Sequence, residues 1–168
     1  MSRAFVKEGA PETPVVIPPR APLPAGVPNY VTPTGLAALR TERADLERAR
    51  AALDPTAPDA ARQREEITGR LKALVERIAI AKLVDPAAVD PSRVRFGATV
   101  EIDGAQGRRT VQIVGVDEAA PDRGMVAFTS PVARAVLGKA VGDTATLTTP
   151  TGDEALAVAA VRYGPTSG

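Results

Sequence analysis

Residues 52–61, ALDPTAPDAA, carry two carboxylates, Asp54 and Asp59, in a short run with two prolines. Two carboxylates at one place can complete the oxygen shell of a Mg²⁺ ion and help deprotonate a water. The same residue types also turn a chain. Asp before Pro starts a turn, and Asp ahead of a helix can accept from its first free amides. Other chemistry is removed by composition. The chain has no Cys and no His, so thiolate nucleophiles, disulfides and imidazole or thiolate zinc sites are excluded. Aromatic residues make up 3%, which argues against a wide aromatic-lined ligand pocket. A second stretch, SPVAR (130–134), has Ser130 placed to cap a helix and Pro131 suited to its first position.

The first acid pair lies between two helical patterns. Leu39, Leu46 and Leu53 recur every seven residues, Leu36 adds one more, and Arg43 and Arg50 fall on the alternate seam positions. A lone amphipathic helix and one arm of a coiled coil both fit that pattern. Ile67, Leu71, Leu74, Ile78 and Ala81 then follow a 4-3-4-3 spacing, the seam of a partner helix. The short connection makes the two helices antiparallel neighbours, with arms ~30 Å long for roughly 20 residues each. Thr32 or Thr34 is placed to cap the first. Upstream, residues 1–33 hold eight of the 16 prolines and read as an extended, flexible tail in which neither helix nor central strand persists.

Two Asp-Pro pairs in LVDPAAVDPSR (83–93) end the second helix and form a linker. Beyond it the period changes to alternation. Val94, Phe96, Ala98, Val100 and Ile102 share one face, and 109–117, 125–130, 144–150 and 154–163 read as further strands. One helix begins at Ser130 and ends near Gly138. The expected domains are a tail over 1–33, an antiparallel coiled-coil hairpin over 34–83, a linker over 84–93 and an antiparallel sheet domain with one helix over 94–164. The fold class is α+β.

Net charge is +1, with 21 bases and 20 acids in all. Ten bases face eight acids over 34–83, and eight face eight over 91–168. Neither part carries the single-sign field of a protein that binds free nucleic acid unaided. The expected partner is a protein. The start, MSRAFVKEGAPETP, has no apolar core of a signal peptide, and no run approaches ~18 apolar residues, so the expected setting is the cytoplasm, away from membranes.

FGATVEI, SPVARAVLGKAVGD and TPTGDEALAVAAVRY resemble the C-terminal domain of the Gre family (GreA/GreB) of bacterial transcription elongation factors, and YVTPTGLAAL resembles the start of that family's first helix. The likeness runs over about residues 29–163. It implies an FKBP-like C-terminal domain that docks at the rim of the RNA polymerase secondary channel while the coiled coil reaches inward. Contact with polymerase would fall on Thr129, Ser130, Pro131 and Arg134. Nucleic acid would be met only within the transcription complex, and a monomer would suffice.

The family's hairpin tip bears an Asp-x-x-Glu motif that helps hold Mg²⁺ for RNA cleavage by the polymerase. Here that motif is missing. Asp54 and Asp59 stand five residues apart, and Asn29 is the sole asparagine. Relative to the family the arms look about two heptads short, ~10 Å of lost reach. The resemblance therefore implies a factor that is not itself an enzyme, has no metal or cofactor of its own, and modulates elongation with weak or no stimulation of cleavage. Mg²⁺ would enter only within the polymerase active centre. The alternatives are a full cleavage factor acting through the candidate tip acids Asp54 and Asp59, or a prolyl isomerase or chaperone built on the FKBP-like domain.

Overall fold

The computed structural model describes residues 14–86 and 90–164. The leader over 1–13, residues 87–89 of the linker and residues 165–168 lie outside these. Thr32 opens helix α1 (Pro33–Ala51): its backbone is extended (φ −78°, ψ 164°) and its hydroxyl accepts from the Gly35 amide at 3.0 Å. Pro33 follows at a position that has no amide to lose. The helix stops at Ala52, just before Asp54-Pro55. Helix α2 (Ala60–Ala79) returns along it. Leu39 and Leu46 of α1 meet Leu71 and Leu74 of α2 in one buried cluster, flanked by Leu36, Ile67 and Ile78. Leu74 is fully buried, so truncating it to Ala would cost about 2–5 kcal/mol. Arg43 and Arg50 stay exposed, and Arg43 pairs with Glu47 at 2.9 Å. The first arm therefore offers a narrow leucine stripe.

Two short strands were not legible as such. β1 (Asn29–Val31) pairs in parallel with β2 (Ala81–Leu83) at the base of the hairpin. Val31 has no exposed surface and Asn29 is buried, its amide donating to the Arg77 carbonyl at 3.1 Å. The reading of 1–33 as a tail without helix or central strand did not foresee this short edge strand at 29–31. Proline removes only its own amide, and Asn-Tyr-Val between Pro28 and Pro33 keeps its donors.

The second half is one five-stranded sheet in the order β5-β4-β3-β7-β6. Its strands are β3 (Thr99–Gly104), β4 (Gly107–Val114), β5 (Met125–Ala127), β6 (Thr144–Thr149) and β7 (Gly152–Arg162). The sheet is mixed, which corrects the antiparallel reading: β5 runs parallel to β4, after two 3₁₀ turns at Val116–Glu118 and Pro121–Arg123. The first of those turns uses up Val116 and Asp117, which the alternation assigned to the end of a longer strand. Helix α3 (Pro131–Val136) covers one face, and Ala133 and Val136 join Val100, Ile102, Ile113, Leu156 and Val158 in the core.

Phe96 departs from its expected face. Gly97 takes φ +84° and donates to the Ile113 carbonyl at 2.8 Å, so the strand begins only at Thr99. Phe96 instead meets Tyr30 at 5.8 Å and Phe128 at 5.7 Å between ring centroids. Tyr30 and Phe128 complete the trio at 5.5 Å, joining hairpin base to sheet.

Candidate functional site

The hairpin tip spans 52–59. Asp54 Oδ1 accepts from the Thr56 amide at 2.8 Å and the Thr56 hydroxyl at 2.7 Å, and the Ala57 amide donates to the Asp54 carbonyl at 3.2 Å. This is an Asx turn. The Thr56 hydroxyl, with the Thr56 amide behind it, holds the Asp54 carboxyl below the usual carboxylate range. Asp54 is therefore ionised at neutral pH, with one oxygen already engaged by its own turn.

Asp59 occupies the position ahead of α2 but makes no side-chain cap. The expected cap is corrected, and the reason lies in its backbone. Accepting from the first helical amides needs an extended residue, as at Thr32 and at Ser130 (φ −68°, ψ 154°), whereas Asp59 sits at φ −100°, ψ 5°. Its carbonyl still accepts from the Gln63 amide at 3.0 Å. Both acids are exposed. Among the described residues no cluster of three or more Asp, Glu, His or Cys could hold a metal ion, so the tip presents turn geometry and isolated charge.

The second candidate surface lies at the start of α3. Ser130 Oγ accepts from the Ala133 amide at 3.3 Å and its carbonyl accepts from Arg134 at 2.9 Å. Gly138 follows the helix at φ +81° and donates to Val94 at 2.7 Å, tying the helix end to the first core residue. Pro131 and Arg134 are exposed, while Thr129 and Ser130 are half-buried. The four residues lie on one short, rigid corner of the sheet domain.

Sequence reasoning missed the joint between hairpin and sheet. Glu118 accepts from the Thr32 amide at 3.1 Å, from the Thr32 hydroxyl, and from the Gly115 amide at 3.1 Å. A Cβ at Gly35 would collide with the Glu118 carboxylate, which explains a glycine in the first turn of α1. Asp117 beside it is nearly fully buried and faces Arg77 of α2 at 3.5 Å. Local signals could not reveal these pairings, because Thr32 and Glu118 are separated by 86 residues.

Residues 89–163 match the family model described as "Transcription elongation factor, GreA/GreB, C-term". Over 109 residues the chain is 41% identical to the transcription elongation factor GreA of Ralstonia nicotianae, an alignment covering 62% of this chain and 69% of that one. The chain belongs to the GreA/GreB family. A second GreA, from Acidiphilium cryptum, is 40% identical over 107 residues, covering 62% of this chain and 68% of that relative. The crystal structure of Thermus aquaticus Gfh1 aligns at 22% identity with a TM-score of 0.40, over 82% of this chain and 99% of that one. The GreA/GreB match contains the whole α3 corner and the Asp117–Glu118 turn, while the tip at 52–59 falls outside the matched model. Among the described residues of this GreA/GreB chain, no helix is long and apolar enough to cross a membrane.

Proposed function

We propose that this GreA/GreB-family chain binds RNA polymerase at its secondary channel, docks through the α3 corner of the sheet domain, and modulates elongation with little or no stimulation of transcript cleavage. The observation that carries this reading is the tip. Its arms are 19 and 20 residues long, Asp54 is committed to Thr56, and Asp59 stands alone. Arms of that length reach ~30 Å from the base. A carboxylate that stops ~10 Å short cannot ligand a metal whose bonds to oxygen are ~2.1 Å. Occupying a channel needs only the hairpin's bulk, which the leucine-filled core keeps rigid.

Docking would use Arg134 and the Thr129–Pro131 surface, held by the Ser130 cap. On this reading the factor is not itself an enzyme and works in the cytoplasm; it acts as a monomer, since its hairpin seam is covered within one chain. Any Mg²⁺ in the reaction belongs to the polymerase active centre. The prolyl-isomerase reading is not favoured: Phe96 and Phe128 are packed against Tyr30 at the joint.

The deciding experiment adds the purified protein to a stalled elongation complex. RNA shortening is scored alone and in competition with an authentic cleavage factor. Competition without shortening is the expected result. Robust shortening by the parent, abolished in the Asp54→Asn, Asp59→Asn double variant, would replace this reading with a working cleavage tip.

A further inference from the structure

The segment ahead of β1 is not spent on covering a core, yet it makes specific contacts along the hairpin. Pro14 and Val15 line a hollow of about 440 Å³ together with Pro58, Asp59, Arg62 and Glu65, at the tip. Farther along, Ile17 lies against Gly69 in the middle of α2. At the base, Arg20 donates to both carboxylate oxygens of Glu42 on α1, at 2.9 and 3.2 Å, and through Nε to Asp117 at 3.1 Å. Arg77 of α2 donates to the Ala21 carbonyl. The eight residues 14–21 span ~25 Å if extended, close to the length of a hairpin arm.

Two features argue that this placement is built into the sequence. Glycine is a poor choice inside a helix, yet Gly69 sits at the tenth position of α2. A Cβ there would run into Ile17 Cδ1 and stand 2.9 Å from Cγ1, so the glycine is a notch for that side chain. Pro14, Pro18 and Pro19 restrict the free segment, which lowers the entropy lost on docking. Arg20 then links three elements: the segment, α1 and the turn after β4. Its guanidinium lies between the Glu42 and Asp117 carboxylates, and the side chain of Asp117 is only 3% exposed. Without Arg20, Asp117 keeps Arg77 at 3.5 Å as its nearest cation, longer than a hydrogen bond, and gains by opening toward water.

We propose that residues 14–21 form a strap that fixes the direction in which the hairpin leaves the sheet domain, with Ile17 as its key and Arg20 as its positioning residue. The strap is intramolecular and does not rest on the polymerase reading. A rigid direction is what any hairpin needs that must enter a partner's channel while the sheet domain holds the rim.

Two measurements on the full chain test it. The chain has no cysteine, so Arg64→Cys on α2 and Thr148→Cys on β6, both exposed, take spin labels at single sites. Double electron–electron resonance should give one narrow distance in the parent. Arg20→Ala should at least double its width, and Arg20→Lys, with one compact ammonium in place of the fork, should fall between. An unchanged width in both variants overturns the strap. If Arg20→Ala does not fold, the Lys variant decides alone: broadening supports the strap and an unchanged width refutes it.

The second measurement is a thermal cycle. Gly69→Ala should raise the melting temperature by about 2–4 °C in an Ile17→Ala background, where the notch is empty, and should give no gain in the parent. An equal gain in both backgrounds means that Ile17 does not occupy the notch, and the strap falls.

Discussion

Replacing Glu118 with Ala should loosen the joint between hairpin and sheet more than any surface change of similar size. The carboxylate takes three hydrogen bonds, from the Thr32 amide, the Thr32 hydroxyl and the Gly115 amide, and both amides belong to buried residues. Hydrogen bonds to a charged group contribute roughly 1.5–3 kcal/mol each, and orphaned buried amides add a desolvation cost. Glu118 is half-buried, so water partly replaces the lost carboxylate and the net loss falls well below the sum of three such bonds. The expected loss is about 2–4 kcal/mol, or roughly 5–15 °C in melting temperature for a chain of this size. Urea denaturation followed by circular dichroism, with the slope held as a check on two-state behaviour, reads it directly. Glu118→Gln keeps one carbonyl acceptor and should lose about half as much. Gly35→Ala pushes a methyl into the carboxylate and breaks the same contact from the other side. The two changes should therefore be strongly non-additive. A Glu118→Ala variant within about 0.5 kcal/mol of the parent, or full additivity with Gly35→Ala, would refute this role of Glu118 at the joint.

At the tip, an NMR titration should place the Asp54 midpoint below the ordinary aspartate value of about 3.9, and Thr56→Val should raise it by removing the hydroxyl donor. Because the folded value is the lower one, the turn's contribution is present above the ordinary value and is lost as pH falls through the folded one. Asp59→Ala should cost less than about 0.5 kcal/mol since no cap bond is lost, whereas Ser130→Ala should cost about 1 kcal/mol; paired thermal melts distinguish them. Tyr163 holds the Arg95 amide at 2.9 Å and donates to the Arg93 carbonyl, so Tyr163→Phe should lose about 1–2 kcal/mol in a urea titration. Burial pushes that phenol's pKa up, so the parent keeps its contribution below about pH 10 and loses it as pH rises through the folded value, while the Phe variant lacks this alkaline loss. Arg134→Glu, exposed on the α3 corner, should weaken polymerase binding at least several-fold in a pull-down or titration while leaving the melting temperature nearly unchanged.

The sequence by itself determined whatever depends on neighbours along the chain. The leucine and isoleucine spacing set two helices and their facing seam, Thr32-Pro33 and Ser130-Pro131 set two helix starts, and the string from Ser130 to Asp143 carried the family. Asp54-Pro55 announced a turn for the same reason, since an Asx turn closes within two residues. Asp59 misled, because capping depends on the backbone angles of the residue as well as on its type. Tertiary structure decided the rest. β1 and β2 exist only because the hairpin brings 29–31 beside 81–83, and β5 runs parallel because two 3₁₀ turns carry the chain back to the start of a new strand. Glu118, Asp117 and Arg20 look like ordinary surface charges in the sequence. Their roles arise from partners 86, 40 and 97 residues away, and no local periodicity encodes a pairing across that separation. Gly69 shows the same division in one residue: its type is visible in the sequence, but the side chain that requires it is brought there only by the fold.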